Sequence, residues 1–277
     1  MRLRARVLAS ALGAAAADAS PAFDLEGHRG TRGLAPENTL AAFRRAMQIG
    51  VTTIETDMAV TEDDVIVILA RSASPRTSGA IQEGRWLAAK ARRSAANLCR
   101  AVSLRLNPAS QYARQFPEQQ PVDGERFAQL RELFQLGKTS GRPMRFNIET
   151  KITPTSGSNT PDPATFVRLV TVAVREADVS GRVTVQSFDW RTPVELKRIA
   201  PGIETPCLTI QTKNDDTVTS SDGGPSPWHA GFALRDHDGS LPASVKAAGC
   251  GVWSMFWRNL SAKELAEAHA LGLKVLA

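Results

Sequence analysis

Glu55 and Asp57 stand two residues apart, Glu149 and Lys151 repeat that spacing, and a histidine adjoins an arginine at His28-Arg29. On a β-strand, residues two apart point to the same face, so Glu55 and Asp57 can share one cation. Glu149 adds a third oxygen donor. An all-oxygen set of this kind suits Mg²⁺ or Ca²⁺ rather than metals that favour sulfur or imidazole. Arg29 offers a planar fork, and Lys151 a point charge, to the oxygens of a phosphate. His28 lies between Gly27 and Arg29-Gly30, open enough to serve as general acid or base near neutral pH. A Glu-x-Asp pair alone is common on solvated strand ends, whereas three such stretches together point to metal-assisted phosphate ester chemistry.

These residues need a scaffold that brings the ends of several strands together. Apolar and β-branched runs predict eight strands, beginning at Asp24, Thr52, Val65, Arg145, Val183, Thr205, Gly251 and Leu273. Between them, apolar residues recur at helical spacing over residues 39–49, near 127–137, 163–177, 192–199, 242–248 and 262–271. Asn38 or Thr39 can cap the first helix. Alternating strands and helices predict an α/β TIM (β/α)8 barrel, whose chemistry sits at the C-terminal strand ends. His28, Arg29, Glu55, Asp57, Glu149, Lys151 and Gln186 all fall at such ends. Trp253 is a candidate for the pocket wall, although a strand tryptophan serves the core at least as often. An open doubly wound sheet would call for a Gly-rich phosphate loop, and no G-x-G-x-x-G occurs.

Bulk properties narrow the class. The 277 residues carry a formal charge of +6. Residues 70–105 hold eight basic side chains against Glu83 alone, a local +7 that leaves −1 for the rest. The basic character is therefore one segment's, and without interleaved aromatics it argues against nucleic acid as a partner. Residues 1–19 combine an arginine-rich start, a short apolar stretch and Ala17-Asp18-Ala19. That pattern is expected of a signal peptide and implies a periplasmic or secreted protein. No run approaches about 18 uninterrupted apolar residues, so no integral membrane segment is expected. Cys99, Cys207 and Cys250 are too few and too scattered for a zinc site. Export would permit one bridge, but the apolar runs around Cys207 and Cys250 favour buried free thiols.

With His28-Arg29-Gly30, Pro36-Glu37-Asn38-Thr39, Glu55-x-Asp57, Glu149-x-Lys151 and Val185-Gln186-Ser187-Phe188 in this order, the chain from Phe23 onward resembles the glycerophosphodiester phosphodiesterases. The resemblance implies a TIM barrel over residues 20–277 with a small insertion after the third strand, held within 70–144. It implies hydrolysis of a small-molecule glycerophosphodiester to glycerol 3-phosphate and an alcohol, in lipid and glycerol metabolism. Glu55, Asp57 and Glu149 would hold the divalent metal, and Glu37 with Asn38 would support it. Arg29 and Lys151 would bind the phosphate; Gln186, within the matched motifs, and Trp253, the pocket-wall candidate outside them, are taken as further substrate-binding residues. His28 would be one of a catalytic histidine pair.

Two departures accompany the resemblance. The family places His-Asp directly after the third strand, where this chain has Ala70-Arg71, so the second proton-transfer group is missing and impaired turnover is expected. Leu69 to Ala73 can be encoded so that a one-base shift reads Ser-His-Asp-Pro-Arg, which makes a shifted reading frame over residues 70–105 one explanation. The family also continues with a Trp-Thr-x-Asn stretch and a last helix, so a truncated C-terminal end is expected here. The alternative function on these residues is a catalytically dead protein that still binds the metal and a phosphodiester.

Overall fold

The computed structural model describes residues 24–69, 115–122, 125–220 and 224–277. The leader expected over residues 1–19, the Ala70-Arg71 departure and most of the expected insertion lie outside these residues.

Eight strands are present among them: β1 (Glu26–Gly27), β2 (Thr53–Val60), β3 (Ile66–Ile68), β4 (Arg145–Thr150), β5 (Val183–Gln186), β6 (Pro206–Thr209), β7 (Val252–Met255) and β8 (Lys274–Leu276). Between them run α1 (Leu40–Ile49), α2 (Leu130–Lys138), α3 (Pro163–Glu176), α4 (Arg191–Ile199), α5 (Leu241–Ala247) and α6 (Ala262–Ala270). Helix starts follow local chemistry. The Thr39 hydroxyl accepts the amide of Ala42, Asp162 accepts that of Thr165 with Pro163 at the first helical position, and Ser240 and Ser261 cap α5 and α6. Gly50, at φ 105°, closes α1 in a left-handed conformation that a side chain would strain.

β1, β2, β4 and β5 are parallel neighbours in that order, and β6, β7 and β8 form a second parallel run. Parallel bridges Thr184 to Glu204 and Ser187 to Cys207 join β5 to β6. The strands thus follow one another in chain order with helices between them, the arrangement of a TIM barrel.

The exception is β3. It pairs antiparallel with β2, Met58 opposite Ile68, and β4 takes the parallel place beside β2. Sequence reading counts β3 as the third barrel strand, and the structure corrects this. A parallel neighbour needs a crossover of about a dozen residues, whereas only Thr61 to Val65 separate β2 from β3. Asp64, at φ 59°, completes a hairpin turn in which Thr61 and Val65 are hydrogen-bonded. β3 is nonetheless fully buried, held by the amide of Ile68 on the carbonyl of Ala128.

Two apolar clusters fill the body. One joins α1, α2, α3 and the first strands around Phe43, Phe134, Phe146 and Phe166; burying each aromatic contributes about 1.5–3 kcal/mol. α2 can approach the sheet because residue 137 is glycine: a Cβ there would lie 2.4 Å from the Phe146 ring. The other cluster gathers Trp190, Cys207, Val245, Cys250 and Trp253 around β6 and β7. Here Cys207 and Cys250 form a disulfide with a Cα–Cα distance of 5.9 Å, correcting the expectation of free thiols. Both are buried in apolar surroundings as expected, but Cys250 lies two residues before the first residue of β7, the strand beside β6, and this adjacency brings the sulfurs together.

Candidate active site

The strand register assembles the site. Asp57 is the register partner of Glu149, Glu55 of Asn147, and Glu149 of Gln186. With a two-residue period, Glu55 and Asp57 on β2, Asn147 and Glu149 on β4, and Gln186 on β5 therefore share the face lining the barrel interior. Oxygen atoms of Glu55, Asp57 and Glu149 all lie within 4.8 Å of one another, and all three residues are buried.

The cations interleave with them. Arg29 places Nε 2.9 Å from Asp57 Oδ2 and Nη1 2.9 Å from Glu37 Oε1, while its backbone amide donates to Glu55 Oε2 at 2.8 Å. Lys151 Nζ lies 2.9 Å from Asp57 Oδ1 and 2.6 Å from Glu149 Oε1. Asn38 is not the helix cap. At φ 56°, it turns its amide inward, donating to Asp57 Oδ2 and the Leu69 carbonyl, and accepting from the Thr56 hydroxyl. The loop between β1 and α1 can fold this tightly because Gly27 and Gly30 (φ 80°) leave room beside Ala46 and Ala42.

Burial and mutual repulsion set the acidities. Burial, then the neighbouring Asp57, raises Glu55 well above the ordinary carboxylate range; burial pushes Glu149 up to about 7 despite Lys151. Asp57 goes the other way, because Arg29 and Lys151 outweigh its burial and hold it well below its usual value. Lys151 is likewise raised: its two carboxylate partners overcome the cost of burial. Four buried carboxylates, Glu37, Glu55, Asp57 and Glu149, thus face two buried cations, Arg29 and Lys151, with partly exposed Arg32 3.6 Å from Glu37. An excess of buried negative charge, with acids made reluctant to ionise by each other, fits a divalent cation among these oxygens.

His28 stands at the edge of this cluster with its side chain 57 % exposed and Nε2 3.8 Å from Glu55 Oε2. Desolvation on its inner side and the guanidinium groups of Arg29 and Arg32 push the imidazole below its ordinary value. Arg32 Nη1 is 3.4 Å from His28 Nδ1. A guanidinium only donates, so this contact assigns the acceptor role to Nδ1 and the proton to Nε2, the nitrogen facing Glu55.

The structure therefore brings His28, Arg29, Glu37, Asn38, Glu55, Asp57, Glu149, Lys151 and Gln186 together. Gln186 reaches the cluster through its amide, Nε2 donating to Glu55 Oε1 at 3.4 Å. Trp253 is placed otherwise: it is 1 % exposed in the second apolar cluster, with its indole N–H donating to Thr209 Oγ1. The core reading of this tryptophan is the one its packing supports. Sequence reading missed Arg32, whose signal is only a second arginine in the loop after His28. It gave no role to Glu26 and Asn147, although their parity with His28 and Glu149 puts them on the same strand faces.

Known proteins share this chain's sequence pattern and fold. The chain matches the model of the glycerophosphoryl diester phosphodiesterase family over residues 28–276. A glycerophosphodiester phosphodiesterase of Caldanaerobacter subterraneus subsp. tengcongensis is 28% identical over 208 residues, covering 75% of this chain and 70% of that protein. Among solved structures, a putative glycerophosphoryl diester phosphodiesterase from Silicibacter pomeroyi superposes with a TM-score of 0.70 at 26% identity, over 91% of this chain and 81% of that one. An Oleispira antarctica phosphodiesterase, whose structure holds the product sn-glycerol-3-phosphate, shares the fold at a TM-score of 0.59 and 18% identity, over 91% and 83% of the two chains. From its first site histidine almost to its last residue, the chain belongs to the glycerophosphoryl diester phosphodiesterase family.

Proposed function

We propose that the chain binds Mg²⁺ or Ca²⁺ at Glu55, Asp57 and Glu149 and takes a glycerophosphodiester there, with hydrolysis to glycerol 3-phosphate and an alcohol impaired in this sequence. The observation that carries the reading is the buried carboxylate trio within 4.8 Å, flanked by Arg29 and Lys151 at the strand ends. A divalent ion held by Glu55, Asp57 and Glu149 would supply positive charge to the phosphate oxygens and lower the pKa of the attacking hydroxyl. Arg29 and Lys151 add positive charge beside the phosphate while keeping Asp57 ionised. His28, with its proton at Nε2, transfers a proton at the exposed rim.

The impairment follows from what adjoins β3. The amide of Leu69 donates to the carbonyl of Asp57, and the Leu69 carbonyl accepts from Asn38. The chain is thus tied to the cluster just before position 70, where Ala70 supplies no titratable group and Arg71 is a cation. Loss of one proton-transfer group typically costs about 10² to 10⁴ in rate. The same departure favours, as second reading, a protein that binds the metal and phosphodiester without turnover.

An exported protein in the periplasm or medium is the location we infer, on the leader-like residues 1–19 and the Cys207–Cys250 disulfide, a bond that persists in oxidising compartments. Calorimetric titration of Mg²⁺ and Ca²⁺, with glycerophosphocholine turnover measured alongside, tests the function. Binding that Glu149→Gln abolishes supports it. An ion affinity unchanged by Glu149→Gln contradicts the metal assignment.

A further inference from the structure

We propose that Asn147 is a positioning residue for the carboxylate cluster, acting through Gln186. The inference rests on the reading of Glu55, Asp57 and Glu149 as metal ligands and adds to it a chain of amides that aims Glu55.

Asn147 lies on the interior face of β4, in register with Glu55 on one side and Thr184 on the other. Both its amide nitrogen and its amide oxygen are engaged. Nδ2 donates to Glu26 Oε2 at 3.2 Å and to Gln186 Oε1 at 3.0 Å, while Oδ1 accepts from the Thr184 hydroxyl at 2.9 Å. Gln186 in turn points Nε2 at Glu55 Oε1, 3.4 Å away, and the other Glu55 oxygen takes the backbone amide of Arg29 at 2.8 Å. Glu55 is thereby held by one donor on each oxygen.

The sense of this chain matters as much as its existence. A primary amide can turn over and exchange its oxygen for its nitrogen at almost no steric cost. The Thr184 hydroxyl can donate or accept, so it does not choose. Glu26, raised to about 7 by burial, chooses above that pH, because an ionised carboxylate only accepts. With Nδ2 committed to Glu26, the same group meets Gln186, so Gln186 must offer Oε1 to Asn147 and Nε2 to Glu55. Were Gln186 reversed, its Oε1 would face Glu55 Oε1, a clash of acceptors in the ionised form of Glu55 that holds a cation, and its Nε2 would face Asn147 Nδ2, a clash of donors. Asn147, Gln186 and Glu55 are 1%, 4% and 5% exposed, and at that burial a mismatched pair of acceptors is costly. Partners of this kind, one step behind the ligands, commonly change metal affinity about 10- to 100-fold when removed.

The test is a double-mutant cycle in ion affinity on the full chain, read by calorimetric titration of Mg²⁺ and Ca²⁺, with thermal unfolding to verify folding. Asn147→Leu is expected to weaken binding about 10- to 100-fold. In a Gln186→Met background the same change should alter affinity by less than about twofold, because the group through which Asn147 acts is gone. Should Asn147→Leu fail to fold, Thr184→Val keeps every charge and loosens Asn147 alone, and it should show the same dependence on Gln186 with a smaller loss. Affinity unaffected by these changes, or losses that multiply independently of Gln186, would overturn the proposal while leaving the metal site standing. A wild-type chain that binds neither ion would instead overturn the metal reading, and this proposal with it.

Discussion

Lys151 Nζ bridges Asp57 Oδ1 at 2.9 Å and Glu149 Oε1 at 2.6 Å, joining two proposed metal ligands from adjacent strands through one buried ammonium. The lysine follows directly from register: Asp57 and Glu149 are paired across β2 and β4, and Lys151 is two residues beyond Glu149 on the same face.

Removing that ammonium leaves two buried carboxylates facing each other. Breaking one side of a buried ion pair typically costs about 3–5 kcal/mol. Lys151→Met in metal-free buffer should therefore lower unfolding free energy by about that much, measured by urea denaturation, and saturating Mg²⁺ or Ca²⁺ should recover part of the loss by binding the folded state alone. A metal-free loss below about 1 kcal/mol, the range of exposed pairs, would contradict the burial and pairing described.

His229 gives the pH dependence a specific source. Its ring stacks on Trp190 with centroids 3.9 Å apart, and neither ring nitrogen has a hydrogen-bond partner among the described residues. Burial lowers its pKa to about 4, against a small opposing pull from Asp216. In the unfolded chain the imidazole takes up its proton near pH 6.5, so the unfolded state binds more protons between pH 6.5 and 4. Stability from this group is complete above pH 6.5 and falls as pH drops toward 4, by about 3 kcal/mol in all. His229→Phe keeps a ring on Trp190 and removes the proton. Wild-type stability minus variant stability should fall by about 3 kcal/mol from pH 7 to pH 4; parallel pH profiles would refute the assignment.

The disulfide closes a long segment, with a sequence separation of 43 between Cys207 and Cys250. Restricting an unfolded loop of that length stabilises the fold by about 4 kcal/mol in the chain-entropy account. The Cys207→Ala/Cys250→Ala variant should unfold at correspondingly lower denaturant, and the wild type under reductant should approach it. Equal midpoints for oxidised wild type and the double variant would show that no bond forms.

How far the sequence leads is visible in these same residues. Period-two spacing put Glu55 with Asp57, and Glu149 with Lys151, on common faces, because strand geometry is local. It could not say that Asp57 pairs with Glu149, since register between strands nearly a hundred residues apart is a tertiary fact. β3 is readable as a buried strand from its apolar run, but counting it among the barrel strands passes over the brevity of Thr61 to Val65, which only an antiparallel turn can span. Cys207 and Cys250 looked like core thiols because their surroundings are apolar; only the adjacency of β6 and β7 makes them a pair. Asn38 had the composition of a helix cap, and the structure spends it on Asp57 while Thr39 takes the cap. Trp253, a candidate for the pocket wall, lies within β7 and turns into the core, where Thr209 on the neighbouring strand β6 accepts a hydrogen bond from its indole N–H.

The proposed metal and phosphate ligands, Glu55, Asp57, Glu149, Arg29 and Lys151, stand beside a third-strand end where Ala70-Arg71 offers no proton-transfer acid or base. The most direct measurement is glycerol 3-phosphate release from glycerophosphocholine, with Mg²⁺ or Ca²⁺, by the chain as it stands and by Ala70→His/Arg71→Asp. The double variant is expected to turn over about 10² to 10⁴ times faster, and a chelator to abolish the gain. Equal rates for the two proteins, or a gain that survives the chelator, would contradict that assignment.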